Sequence, residues 1–332
     1  SCYTAPSSLS AVGSNIFKGC NQLAAITWNS STVELPEDVA TDVANPNMLV
    51  YATTLAMIPY SMKNVVINGV ANNIILADST GNNNFYCPES FVARRISYTH
   101  NYQQKTSIGK SQGWETIALP FTVAKITHEK NGELTPVAVE DAAKPFWLYE
   151  LGENGMEAAT QIRANIPYLI CMPNNDAYGD EYIQGGRVTF TAQNVQISTS
   201  RGVTVSQSDR RFVPTYQIVA ASADVYALNV GQTYEGNAEG SVFVSNLRDI
   251  RPFEAYSIHV SNKSRIIDVS SLGGGDTDAT GITNTQLDGE SANEIVKVHT
   301  LSGIFLKQGP RGEVLRNLPK GVYIINGKKV IK

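Results

Sequence analysis

From residue 64 onward the sequence is a series of short β-type segments, with no helix-period stretch of useful length between them. The segments are rich in Val, Ile, Thr, Tyr and Phe, and clusters of Asn, Gly, Asp and Pro separate them. Without crossover helices such strands pair antiparallel, which predicts a sandwich or a barrel. We therefore predict an antiparallel β-sandwich for residues 64–270. Candidate strands are ARRISYTHNY (93–102), PFWLYEL (145–151), IPYLICMP (166–173) and RVTFTAQNVQIS (187–198).

Residues 9–28, LSAVGSNIFKGCNQLAAITW, carry apolar side chains at a spacing that fits neither an amphipathic helix nor a plain strand. A short strand is predicted at the end of this segment, formed or flanked by Leu23, Ile26 and Trp28. We expect Phe17 and Cys20 to point inward from the opposite side. One such unit cannot bury its own apolar face, so stacked neighbours must cover it.

Residues 7–28 resemble the leucine-rich repeats of BspA-like surface proteins of Bacteroides-type bacteria. In those repeats a turn and a short helical piece with "F..C" precede an "L..I.I" strand. Residues 1–6 look like the tail of a preceding repeat, and residues 31–53 like a degenerate following one with MLVY as its strand. The resemblance implies that residues 1–63 form the capping end of a solenoid, and it leaves room for further repeats upstream.

The composition changes after residue 270. Gly, Asp, Thr and Ser dominate the next segment, which offers little to bury, so we predict a flexible linker at 271–293. Residues 294–332 are expected to form a small C-terminal β-module in which YIINGKKVI is a hairpin with an Asn326-Gly327 turn. The pattern V.TLSG followed by LPKGVYI.NGKKV is similar to C-terminal modules of the same bacterial group, some of which are type IX sorting signals.

Charge and hydropathy argue against nucleic acid as a partner and against a membrane span. The net charge is −4 with no basic stripe, so nucleic acid is not a predicted partner. No run of about 18 apolar residues is present, so we predict no membrane span.

The cysteines are far apart and form no CxxC motif, which argues against a zinc site. We expect free, buried thiols rather than disulfides, because Cys20 and Cys171 lie in apolar runs. Cys2 has two interpretations. It falls where the cysteine of a preceding repeat would fall, which we prefer, or it is the acylated cysteine left by lipoprotein cleavage.

Signatures of common enzymes are absent: the sequence has no GxSxG elbow, no HExxH, no P-loop and no dinucleotide fingerprint. His100 and His128 could meet across a sheet beside Glu129, but we predict ordinary half-exposed histidines and no metal site. DTDATG (276–281) has the first spacings of a calcium loop, yet Leu287 stands at the twelfth position, where a Glu is expected. We therefore predict a solvated linker there, and no cofactor or metal.

The segment AYGDEYIQGG offers a candidate ligand-binding loop, because exposed aromatic rings can stack on sugars while carboxylates bind their hydroxyls. The alternative is that the tyrosines cover the edge of the β-sandwich with only their hydroxyls wet. Trp114 and Trp147 are expected in the core. The candidate ligand-binding residues are Tyr178, Asp180, Glu181 and Tyr182.

The predicted protein is mostly β and non-enzymatic. The resemblance implies export to the extracellular space or outer-membrane surface, and adhesion to host protein, mucin or neighbouring cells. It carries no catalytic residues. One alternative is a carbohydrate-binding or polysaccharide-processing protein that uses the β-sandwich, and another is a structural stalk for upstream repeats.

Overall fold

A computed structural model describes most of the chain, and the residues it describes are mostly β, as predicted. Helical segments are short, namely α1 (Val39–Val43) and a 3₁₀ turn (Leu55–Met57), and no helix among the described residues is long and apolar enough to cross a membrane. The described residues are 1–78, 83–107, 110–140, 142–152, 155–176, 178–179, 182–199, 202–207, 210–259, 266–269, 295–300, 305–310, 313–314, 318, 322–325 and 328–331.

The strands are short except for two of twelve residues each. The first fourteen are β1 (Cys2–Ala5), β2 (Ala25–Trp28), β3 (Leu49–Ala52), β4 (Val65–Ile67), β5 (Val70–Ala71), β6 (Ile74–Ala77), β7 (Phe91–Tyr102), β8 (Glu115–Ile117), β9 (Lys125–His128), β10 (Gly132–Glu133), β11 (Thr135–Pro136), β12 (Pro145–Gly152), β13 (Gly155–Ala158) and β14 (Tyr168–Cys171). The others are β15 (Gly186–Ile197), β16 (Val205–Gln207), β17 (Arg210–Pro214), β18 (Tyr226–Leu228), β19 (Val242–Ser245), β20 (Ala255–His259), β21 (Ile266–Asp268), β22 (Ile295–Thr300), β23 (Phe305–Pro310), β24 (Val322–Ile325) and β25 (Lys328–Ile331).

The N-terminal part is a parallel coil made of β1 to β4. These strands pair in register, so that Cys2, Ala25 and Leu49 lie side by side. The predicted strands at the end of residues 9–28 and at MLVY are confirmed as β2 and β3. Phe17, Trp28 and other apolar side chains fill the interior of the coil. The indole N–H of Trp28 donates a 2.8 Å hydrogen bond to the carbonyl of Val33, which satisfies the polar atom of a fully buried ring.

The prediction that Cys20 points inward is wrong. Phe17 is 4% exposed, whereas Cys20 is exposed. The Cys20 N–H donates to the Phe17 carbonyl, and Gly19 has a positive φ of 81°, so the chain reverses between the two side chains. All cysteines are free, as predicted. Cys87 and Cys171 are buried, as expected, whereas Cys2 and Cys20 are exposed.

The first sheet continues from the coil into the rest of the chain. A tight hairpin joins β4 to β5, and its turn residues Asn68 and Gly69 both have positive φ, the backbone that a type I′ turn requires. β5 and β6 pair parallel with β7, so the prediction of purely antiparallel pairing after residue 64 is wrong for these strands. The sheet goes on through β15 and β9 to β10. Hydrogen bonds between β3 and β4 therefore continue the sheet across the predicted domain boundary between residues 63 and 64.

The second sheet, of five strands, lies between two cores. Along β12, Phe146 and Leu148 face the core shared with the first sheet, while Trp147 and Tyr149 face the core shared with the third. This explains why PFWLYEL is apolar at nearly every position, since a strand buried on both faces has no polar side. Trp114 and Trp147 are buried, as predicted.

The third sheet contains β16 to β21, and β22 to β25 form a fourth, four-stranded sheet. In the fourth sheet the predicted hairpin strands, β24 and β25, pair antiparallel. A small core of its own includes Val296, Val298 and Ile325. The predicted linker at 271–293 lies outside the described residues, and so does DTDATG.

Two buried asparagines occupy the edge of β6 that faces away from β7. The Asn47 amide accepts a 2.7 Å hydrogen bond from the Ala77 N–H and donates to the Ala77 carbonyl at 3.0 Å. The Asn64 amide bonds the N–H and carbonyl of Ile75 in the same way, at 2.7 and 3.2 Å. Each amide thus replaces a residue of a neighbouring strand, and the edge of β6 keeps no orphaned backbone group at these positions.

Replacing Asn47 with Ala should destabilise the protein by about 3 kcal/mol, because backbone groups of Ala77 lose their partners in a buried site. Urea unfolding measures the change. Asn72→Ala is the matched control, since that side chain is exposed and should cost less than about 0.5 kcal/mol. Equal losses in both variants would contradict the assigned role of Asn47.

Candidate functional site

An open groove of about 890 Å³ lies where the parallel coil ends. Half-buried Val65, Ile67 and Val70 of β4 and β5 lie on one side of it. The loop after β3 forms another side and is anchored to the coil by the buried side chain of Ile58 and by a hydrogen bond from the Leu35 N–H to the Met57 carbonyl.

Large apolar side chains are exposed around this groove. Leu55 is 62% exposed, Tyr60 is fully exposed, and Ile75 is 46% exposed. Ile75 faces outward because its neighbours in β6, Ile74 and Leu76, take the buried face of the strand. Exposed polar side chains complete the lining, namely Lys63, Asn68, Asn72, Asn73 and Arg94.

This combination of groups suits binding rather than catalysis. The apolar side chains can bury surface against a partner, while the amides can pair with its peptide or hydroxyl groups. Lys63 and Arg94 make no ion pair within the residues that the structure describes, so their charges are available to an acidic partner. No sequence pattern points to the groove, since its apolar residues in TTLAMIPYSMK indicate burial as readily as exposure.

The sequence-predicted ligand loop is described in part. Tyr178 and Tyr182 are half-buried, with ring centroids 6.0 Å apart, and Tyr178 also lies 6.1 Å from the buried ring of Trp147. Tyr178 packs against the core that includes Trp147, as in the alternative, but its hydroxyl oxygen is buried, so the expectation that only the hydroxyls are wet is wrong for Tyr178. Asp180 and Glu181 lie outside the described residues, so their role remains a prediction.

A second polar cluster, centred on His100, joins the first two sheets. His100 of β7 bonds Asp78 through Nδ1 at 2.6 Å and Glu115 of β8 through Nε2 at 2.7 Å. The Glu115 side chain is 8% exposed. An acidic residue in the apolar segment GWETIALPF is the sequence signal that could have located this cluster, because a buried carboxylate needs a partner.

The His100 ring carries a positive charge at neutral pH. Burial alone lowers the pKa of His100, but the charge of Glu115 and the hydrogen bonds to Asp78 and Glu115 outweigh that effect and raise the pKa to about 10. Both ring nitrogens then donate, one to each carboxylate. Tyr98 and Tyr102 flank the ring, with centroids 6.4 and 4.5 Å away.

The suggestion that His100 and His128 could meet is wrong. Val188 of β15 pairs with both residues, so a whole strand separates them. The His128 Nε2 instead contacts the Gly185 carbonyl at 3.0 Å, and Glu129 accepts a bond from the Arg187 N–H. Among the described residues no three His, Cys, Asp or Glu side chains are grouped so as to hold a metal ion.

Comparisons of the chain with protein-family models, with curated proteins and with solved structures gave no match.

The charged His100 cluster predicts a pH-dependent stability. The folded pKa lies above the value of about 6.5 in an unfolded chain, so the contribution is fully present below about pH 6.5 and is lost as the pH rises toward 10. His100→Gln, which removes the charge, should cost about 3 kcal/mol at pH 6 and much less at pH 10, measured by urea unfolding.

His299→Gln is the control for this series, because His299 makes no hydrogen bond to a carboxylate within the described part of the chain. Measured over the same pH range, it gives the cost of replacing a histidine that lacks carboxylate partners. A cost of His100→Gln that stays constant from pH 6 to pH 10 would show that the ring is not charged in the folded protein.

Proposed function

We propose that this chain is part of a non-enzymatic, exported cell-surface protein that adheres to other proteins through the groove around Leu55, Tyr60 and Ile75. The observation that carries the proposal is the exposure of three large apolar side chains around one open groove. Monomeric proteins seldom expose apolar groups in one contiguous patch unless the patch binds something.

The parallel coil supports the same proposal. In-register pairing of β1 to β4, each followed by a turn or a short helical piece, is the arrangement expected of leucine-rich repeats. We propose that residues 1–63 are such repeats of the BspA-like kind and that the mainly antiparallel sheets after them form a sandwich-like body. The groove then lies where the repeats end, and a solenoid spreads adhesion over many side chains.

An acidic protein segment fits the groove best. Tyr60 offers an aromatic anchor of the type that dominates binding energy at interfaces, and Leu55 adds exposed apolar surface beside it. Lys63 and Arg94 add positive charge to a chain whose net charge is negative. Exposed asparagine amides can bond the backbone of an extended partner chain.

Carbohydrate binding is the second candidate, and the tyrosine loop favours it. Tyr178 and Tyr182 are neighbouring, half-buried residues whose ring centroids lie 6.0 Å apart, and a pair of aromatic rings can stack on a sugar. If carbohydrate binding is correct, substitutions of Tyr178 and Tyr182 should weaken binding, whereas substitutions in the groove should not.

The first experiment is binding of the purified chain to an array of matrix proteins, mucins, host glycans and plant polysaccharides. We expect saturable binding to a protein ligand, weakened about 30-fold by Tyr60→Ala, which removes an aromatic anchor, and several-fold by Leu55→Ala, which removes apolar contact area. Ile218→Ala is the matched control, because Ile218 is 41% exposed and is not among the residues that line the groove.

Each result separates the candidates. Binding to one sugar class that is lost in Tyr178→Ala or Tyr182→Ala would replace adhesion by carbohydrate binding. Protein binding that Ile218→Ala weakens as much as Tyr60→Ala would refute the groove. No binding to any ligand would favour the structural stalk.

A further inference from the structure

A second pocket, of about 360 Å³, lies at the end of β6. The last residue of β6, Ala77, pairs with Thr99 of β7, so the following residues of β7 run on beyond the end of their neighbour. Asp78, His100 and Asn101 line the pocket there, and Arg187 and Arg251 line it too. The lining of this pocket shares no residue with the lining of the groove of the proposed function.

The two arginines reach this pocket from different elements. Arg187 lies on β15, directly across from Asn101 of β7. Arg251 lies in the segment that leads into β20 of the third sheet. Both side chains are exposed, and neither guanidinium has a hydrogen bond or ion pair within the described ranges. The pocket therefore presents two guanidinium groups whose donors are free to take an external ligand.

The carboxylates at the pocket are already engaged by His100. Asp78 lies against Nδ1 of the ring at 2.6 Å, and Glu115 lies against Nε2 at 2.7 Å. With the ring charged, the side chains that line the pocket carry three positive groups and one carboxylate, that of Asp78. The charge balance of the lining is therefore positive.

Two carboxylates contact the backbone of these arginines and also have partners. Glu129 accepts a 3.3 Å hydrogen bond from the backbone N–H of Arg187. Glu254 pairs with Arg248 at 2.7 Å and accepts a 2.9 Å bond from the backbone N–H of Arg251. These contacts hold the backbone of both arginines in place without using their guanidinium groups.

We propose that this pocket binds the oxyanion group of a sugar-sized ligand, a carboxylate or a sulfate, between Arg187 and Arg251. A guanidinium fork matches such groups in a bidentate manner. Thr99 and Asn101 on the lining can bond the hydroxyls that accompany the anion on a sugar. The volume lies within the range of small-molecule sites. This site is independent of adhesion through the groove.

Calorimetric titration of the whole chain tests the proposal with three matched probes: glucuronate, glucose 6-sulfate and uncharged glucose. We expect at least one of the two anions to bind saturably and glucose to bind at least about tenfold more weakly, because the charge-assisted bonds are missing. The comparison of the two anions identifies the preferred oxyanion.

The arginine and aspartate variants should change the affinity for the anion in opposite directions. Arg187→Gln and Arg251→Gln should each weaken binding of the anion about tenfold. Asp78→Asn should strengthen it about threefold, because it removes the one carboxylate of the lining and keeps an oxygen for His100. Arg95→Gln is the matched control, an exposed arginine on β7 that is not among the lining residues, and should leave binding unchanged.

Melting temperatures of all four variants show that each one is folded. Anions that bind no better than glucose would overturn the proposal. So would a loss with Arg95→Gln equal to that with Arg187→Gln, or binding that survives both arginine substitutions unchanged.

Discussion

Side-chain amides allow β6 to lie at the border of the first sheet without unpaired backbone groups on its free edge. Asn47 and Asn64 take the N–H and carbonyl groups of β6 that a further strand would otherwise take. Other features depend on this position of β6. The outward side chain of Ile75 lies beside the groove, and Asp78, directly after the strand, meets His100. One pair of buried amides therefore positions Ile75 at the groove and Asp78 at the charged link between the first two sheets.

The sequence predicts the strands better than it predicts their arrangement. Alternation in RVTFTAQNVQIS and the apolar run PFWLYEL locate β15 and β12 correctly. An apolar run also signals burial on both faces, but it does not say which sheets cover those faces. The pairing of Asn47 and Asn64 with the backbone of β6 cannot be predicted from the sequence, because asparagine beside proline or lysine ordinarily indicates a turn.

The candidate sites show the same limit. The tyrosines of the predicted loop could be found because aromatic residues in a polar segment stand out. Leu55 and Tyr60 could not, since an apolar side chain is exposed or buried according to what the rest of the fold places over it. The charged cluster had a local signal in Glu115 but needed β7 and β8 to be brought together from different sheets.

The long antiparallel pair β7–β15 has a consequence for the order in which the chain acquires its structure. Tyr102 pairs with Gly186, and every strand of the second sheet lies between those two positions in the chain. Closing this pair therefore encloses a whole layer in one loop, and contacts so distant in sequence must overcome a large entropy of closure. Folding of the protein is expected to be slow, with assembly of the second sheet and closure of the β7–β15 pair as coupled late steps.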